Sequence, residues 1–145
     1  DGFLAQMEAE YPDIEIVNVD YGDGDHLKST EIAKAVMQAN PDLKGYFGAN
    51  EGSIIGVINA LTELGREGEI VAIGYDASKI QMDAIRSGLV AGAITQSPVG
   101  IGYKCVEAAV MAINGEEVEP VIDTGFFWYD ATNIDSDEIV PLLYE

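Results

Sequence analysis

Two hydrophobic periods take turns along this 145-residue chain, and the alternation restricts its fold more than any other feature. Phe3, Leu4 and Met7 share one side of a helix that Tyr11-Pro12-Asp13 must end, because proline cannot continue it. Residues 14–19 then carry β-branched Ile14, Ile16 and Val17, the pattern of a half-buried strand. The Gly- and Asp-rich stretch 20–25 is expected to turn. Ile32, Ala35, Val36 and Ala39 mark the inner stripe of a helix stopped by Asn40-Pro41.

The same alternation continues to the end. Strands are expected at 46–48, 70–74, 90–95 and 121–129. Helices are expected at 53–64, with Ile54, Val57, Ile58 and Leu61 inward and Gly65 as C-cap, at 79–87 with Ile80, Ala84 and Ile85 inward, and at 98–113. Strands separated by helices of about 10–15 residues build βαβ units around a parallel sheet. The fold class expected is therefore α/β, a doubly wound parallel sheet with helices on both faces.

Charge and composition narrow the function. Seven Lys plus Arg against 26 Asp plus Glu leave a formal charge of −19. Binding to nucleic acid needs clustered cations that this chain cannot assemble, and an anionic membrane surface is disfavoured for the same reason. One cysteine, Cys105, makes no internal disulfide or thiolate metal cage, and its setting among Val106, Ala108 and Ala109 predicts a small buried hydrophobe. No apolar run approaches the about 20 residues of a bilayer-spanning helix.

In doubly wound sheets ligands bind beyond the carboxyl ends of the strands. Those positions hold Asn50, Tyr75 with Asp76, and Gln96. Two amides and a carboxylate supply the donors and acceptors that vicinal sugar hydroxyls use, and the tyrosine ring offers a face to C–H groups. The competing reading of each residue is a helix cap or turn former.

The series Phe47-Gly48-Ala49-Asn50-Glu51, Ile73-Gly74-Tyr75-Asp76 and Ile94-Thr95-Gln96-Ser97-Pro98 resembles the C-terminal lobe of the ribose-type, type I periplasmic sugar-binding proteins of ABC transporters. The connecting Asn40-Pro41-Asp42-Leu43-Lys44-Gly45 and the closing Asp123-Thr124-Gly125 and Thr132-Asn133-Ile134-Asp135 extend the resemblance over nearly the whole chain. It implies an extracytoplasmic, non-enzymatic receptor without cofactors. Two lobes would close on a monosaccharide and the closed form would be sensed by a membrane permease. Asn50, Tyr75, Asp76 and Gln96 then stand at ligand-binding positions. Gly24 stands where the family usually places a ring-stacking aromatic, which leaves the sugar open.

The resemblance also divides the chain. Residues 1–145 would form one sugar-binding lobe, as a fragment, while 97–128 would belong to the other lobe. The helix over 99–113 would then lack its sheet, and its apolar residues Ile101, Val106, Val110 and Ile113 predict self-association.

Rival readings remain. A receiver-like phosphoacceptor would use Asp76, but needs further acids for Mg²⁺ and a neighbouring lysine where Asn50 and Gln96 stand. An effector-sensing domain of a lactose-repressor-like regulator would share the fold and need a DNA-binding headpiece. Asp20, Asp23 and Asp25 read as a solvated turn, since they miss the EF-hand spacing. His26, the sole histidine, has no partner identifiable for nucleophilic catalysis. Phe126 to Tyr129 reads as core, with Phe126 and Trp128 on one strand face and Phe127 and Tyr129 on the other.

Overall fold

The computed structural model describes residues 1–144. Helix α1 (Gly2–Glu10) ends where expected, with the Tyr11 N–H bonded to the Met7 carbonyl just before Pro12. Helix α2 (His26–Ala39) opens at Asp25, whose side chain accepts from Lys28 N. Then follow β1 (Gly45–Phe47), α3 (Glu51–Leu64), β2 (Val71–Tyr75), α4 (Lys79–Arg86), β3 (Gly92–Thr95), α5 (Pro98–Ile113), β4 (Phe127–Tyr129) and a short 3-10 turn at Val140–Leu142.

The sheet is mixed. Strands β1, β2 and β3 pair in parallel in chain order, and β4 closes the far edge antiparallel to β3, with Thr95 opposite Phe127 and Ala93 opposite Tyr129. This corrects the all-parallel expectation: the chain returns from α5 running the other way. The strand expected over 121–129 survives only as β4. Ahead of it, Gly125 adopts φ +77 and donates to the Asp123 carboxylate, a turn that interrupts any ladder.

The strand expected over 14–19 does not form. The segment is irregular, and Ile14, Ile16, Val17 and Val19 stay exposed. Propensity marks residues that suit a pleated surface, but a strand exists only through ladder bonds to a neighbour. Among the described residues no strand flanks this segment; part of it instead borders Ile32, Ala35 and Ala39 of α2.

Those three residues belong to the stripe Ile32, Ala35, Val36 and Ala39 expected to point inward, of which Val36 alone is buried, so the helix is rotated from the expected setting. Beside Val36 it buries Ser29, Thr30, Ala33 and Met37. The cause lies in α3, where Gly56 lets the two helices approach closely. A methyl group on Gly56 would stand 2.5 Å from the Ser29 Cβ and 2.7 Å from Thr30 N. Helix α3 itself matches expectation, burying Ile54, Val57, Ile58 and Leu61 and ending at Gly65 with φ +64. In α4 the buried set is Gln81, Met82, Ala84 and Ile85, whereas Ile80 is exposed.

The core joins these faces to Ala72, Ala93, Tyr129 and, from the C-terminal segment, Ile134, Ile139 and Leu142. On the other side of the sheet the Phe3 ring of α1 stacks on Phe47 at 4.8 Å. Helix α5 buries none of its residues: Val106 is 66% exposed, Ile113 84%, and Cys105 lies exposed rather than buried. Phe126 and Trp128 are exposed as well, so of the aromatic run Tyr129 alone lies fully within the core.

Candidate functional site

The candidate site is the rim formed by the carboxyl ends of β1, β2 and β3. Each strand end is fixed by local chemistry. Asn50 is the N-cap of α3 and its side-chain oxygen accepts from Ser53 N at 2.9 Å, so the cap reading holds for that atom. Its amide nitrogen has no hydrogen bond among the described residues, and the side chain is exposed.

Asp76 follows β2 directly. Its backbone takes the left-handed conformation, φ +71, and its N–H donates to the Ile94 carbonyl of β3 at 2.8 Å. One carboxylate oxygen, Oδ2, accepts from Glu51 N at 3.0 Å, tying the end of β2 to the first turn of α3. A carboxylate at a helix N-terminus is favoured by the amide dipoles. The other oxygen, Oδ1, carries no protein hydrogen bond among the described residues. Tyr75 and Gln96 are half-buried on the same rim, with Tyr75 in register with Ile94 two residues before Gln96. The Gln96 side-chain amide makes no hydrogen bond among the described residues.

The structure thus brings the Asn50 loop and Asp76 into direct contact and sets Gln96 on the adjoining strand end. It also brings in the turn whose Gly24 the resemblance set at a ring-stacking position. A Cβ on Gly52 would stand 1.9 Å from the Gly24 carbonyl oxygen, so the 22–25 turn packs on the first turn of α3 beside the rim. The acids of that turn are engaged locally: Asp23 pairs with Lys28, Asp20 accepts from Asn18, and Asp25 caps α2. The backbone N–H of Lys28 holds the Asp25 carboxyl below the usual carboxylate range. His26 is exposed at the start of α2.

Three further residues support Asp76 from beneath. Gln81 and Tyr129 both bond its carbonyl oxygen, and the Tyr144 hydroxyl accepts from Ala77 N at 3.4 Å. Gln81 had a readable signal, being the polar member of a 77, 81, 84 helical stripe otherwise made of alanine. Burial pushes the Tyr129 phenol up to about 12. Two shallow hollows of about 340 and 290 Å³ flank residues 12–20 and lie away from the rim.

Comparison with known proteins gives this architecture its class. A solute-binding protein of an ABC transporter from Agrobacterium vitis, solved with D-fucose, superimposes with a TM-score of 0.93 over 99% of this chain and 49% of its own, at 32% identity. A carbohydrate transporter solute-binding protein from Agrobacterium radiobacter, in complex with D-arabinose, gives 0.91 over 99% and 48%, at 30% identity. The fold is that of one lobe of a type I periplasmic binding protein. Residues 1–117 match the periplasmic binding protein domain, and the chain belongs to that family. The ribose import binding protein of Escherichia coli is 30% identical over 97 residues, which is 67% of this chain and 32% of that protein. The chain therefore spans about half the length of the solved relatives and a third of this curated one.

Proposed function

We propose that the chain is the ligand-gripping half of the substrate-binding component of a sugar ABC importer, which holds a monosaccharide reversibly and makes no covalent bond to it. The observation that carries this reading is the Glu51 N to Asp76 Oδ2 contact, which sets two strand-end loops side by side and leaves Asp76 Oδ1 and the Asn50 amide nitrogen for ligand hydroxyls. Solved relatives that hold D-fucose and D-arabinose support it. In this reading Asn50 donates, Asp76 accepts, Gln96 does both, and Tyr75 packs against the ring. The protein works outside the cytoplasm and delivers its sugar to a permease.

Segment 97–128 belongs to a second lobe, whose sheet covers the apolar side of α5. In the 145-residue chain alone, α5 drives self-association over 99–113. Each half-site hydrogen bond contributes about 0.5–3 kcal/mol before association costs, so one lobe binds sugar no better than roughly millimolar. The test is calorimetric titration of the full-length protein with a monosaccharide panel. Asn50→Ala and Asp76→Ala are expected to abolish the binding, and unchanged titrations would remove both residues from the site.

A further inference from the structure

Two costs meet beneath Asp76. A non-glycine residue at φ +71 is disfavoured, though aspartate tolerates it better than most. Below it, the Gln81 side-chain amide nitrogen donates to the Asp76 carbonyl oxygen at 2.8 Å and to the Tyr129 hydroxyl at 2.6 Å. The Tyr129 hydroxyl donates to the same carbonyl at 2.8 Å. Because a carbonyl oxygen only accepts, both protons must point at it, and the orientation of the Gln81 amide is forced. A reversed amide would set oxygen against oxygen. The consequence is that Gln81 Oε1, in a side chain with no solvent exposure, has no partner.

A buried acceptor left unpaired is a cost the fold would shed if the amide served packing alone. Glycine at 74 makes the room, since a Cβ there would stand 2.8 Å from that oxygen. The triangle thus fixes one thing, the peptide of Asp76, from which the carboxylate reaches Glu51 N.

We propose that Gln81 and Tyr129 are positioning residues for the Asp76 carboxylate, an inference that rests on the reading of Asp76 as a ligand group. Tyr129 comes from β4 and Gln81 from α4, so the ligand carboxylate is aimed by two side chains that are not themselves among the ligand groups.

The test uses the full-length protein and three variants, Tyr129→Phe, Gln81→Met and Asp76→Ala, with D-fucose and D-arabinose as probes. The first readout is the backbone amide resonance of Glu51, which reports whether the carboxylate is in place with no sugar present. Tyr129→Phe and Gln81→Met are expected to move that resonance toward its position in Asp76→Ala and to weaken binding roughly tenfold, the loss of one hydrogen bond. A wild-type Glu51 resonance in Tyr129→Phe, whatever its stability, overturns the proposal. If Gln81→Met does not fold, Tyr129→Phe decides it alone. Should Asp76→Ala bind the probes like wild type, or neither probe bind wild type, the ligand reading fails and takes the inference with it. That failure is told apart because the Glu51 resonance would still move in Tyr129→Phe.

Discussion

The close contact of α2 with α3 makes Gly56→Ala a sharp test of how the lobe is packed. On an ordinary helix the change would stabilise, because alanine exceeds glycine in helix propensity by about 0.8–1 kcal/mol. Here the new methyl would lie 2.5 Å from the Ser29 Cβ, 2.6 Å from its carbonyl carbon and 2.7 Å from Thr30 N. Two of these three are backbone atoms that cannot rotate away. Ordinary carbon contacts lie at about 3.5–4 Å, so α2 must retreat by about 1 Å, and such overpacking costs about 1–3 kcal/mol. The retreat also loosens Ala33 and Met37, which α2 contributes to the core. We expect a net loss of about 1–2 kcal/mol in urea unfolding at unchanged slope, and a Tm lower by roughly 2–8 °C. Gly102→Ala is the control: a Cβ at that α5 glycine meets nothing within 4 Å, so helicity should rise. If Gly56→Ala unfolded at the wild-type urea concentration or above, the close-approach argument would be wrong.

Further expectations follow from other parts of the lobe. Leu61→Ala, at a fully buried α3 position, should cost about 2–5 kcal/mol by chemical denaturation. Tyr129 is neutral in the fold with its pKa raised to about 12 against about 10 unfolded, so its contribution is whole below pH 10 and fades as pH rises toward 12. The stability of wild type should therefore fall more steeply than that of Tyr129→Phe across that window, by up to about 2.7 kcal/mol. Light scattering should show the 145-residue chain associating, and Val106→Glu with Val110→Glu should return it to a monomer. A monomeric wild type with α5 fully solvated would refute that.

The parts of this fold legible in the sequence are those whose determinants are local. The stripe of α3, its Gly65 cap and the apolar strand leading to Tyr75-Asp76 could be read because neighbouring residues fix them. Residues 14–19 misled because their β-branched composition is local while a strand's partner is not. The rotation of α2 was hidden for a similar reason: Ser29 and Thr30 are poor core candidates until Gly56 of another helix comes close enough to bury them. At the rim, Asn50, Tyr75, Asp76 and Gln96 were legible from topology. Gln81 left a trace as the polar member of an alanine stripe, but its pairing with Tyr129 was not legible, since it joins residues 48 positions apart. Alternation along 126–129 already set Trp128 on the face opposite Tyr129, and pairing with β3 shows which of the two faces is buried.

The antiparallel return of β4 carries a mechanical meaning. The chain departs from the sheet after Thr95 and re-enters at Phe127, two residues that face each other across the ladder. Whatever is built on the excursion between them hangs from twin straps mounted side by side. A load held that way tilts readily about the line joining its attachments but resists twisting, and Gln96 is the first link of one strap.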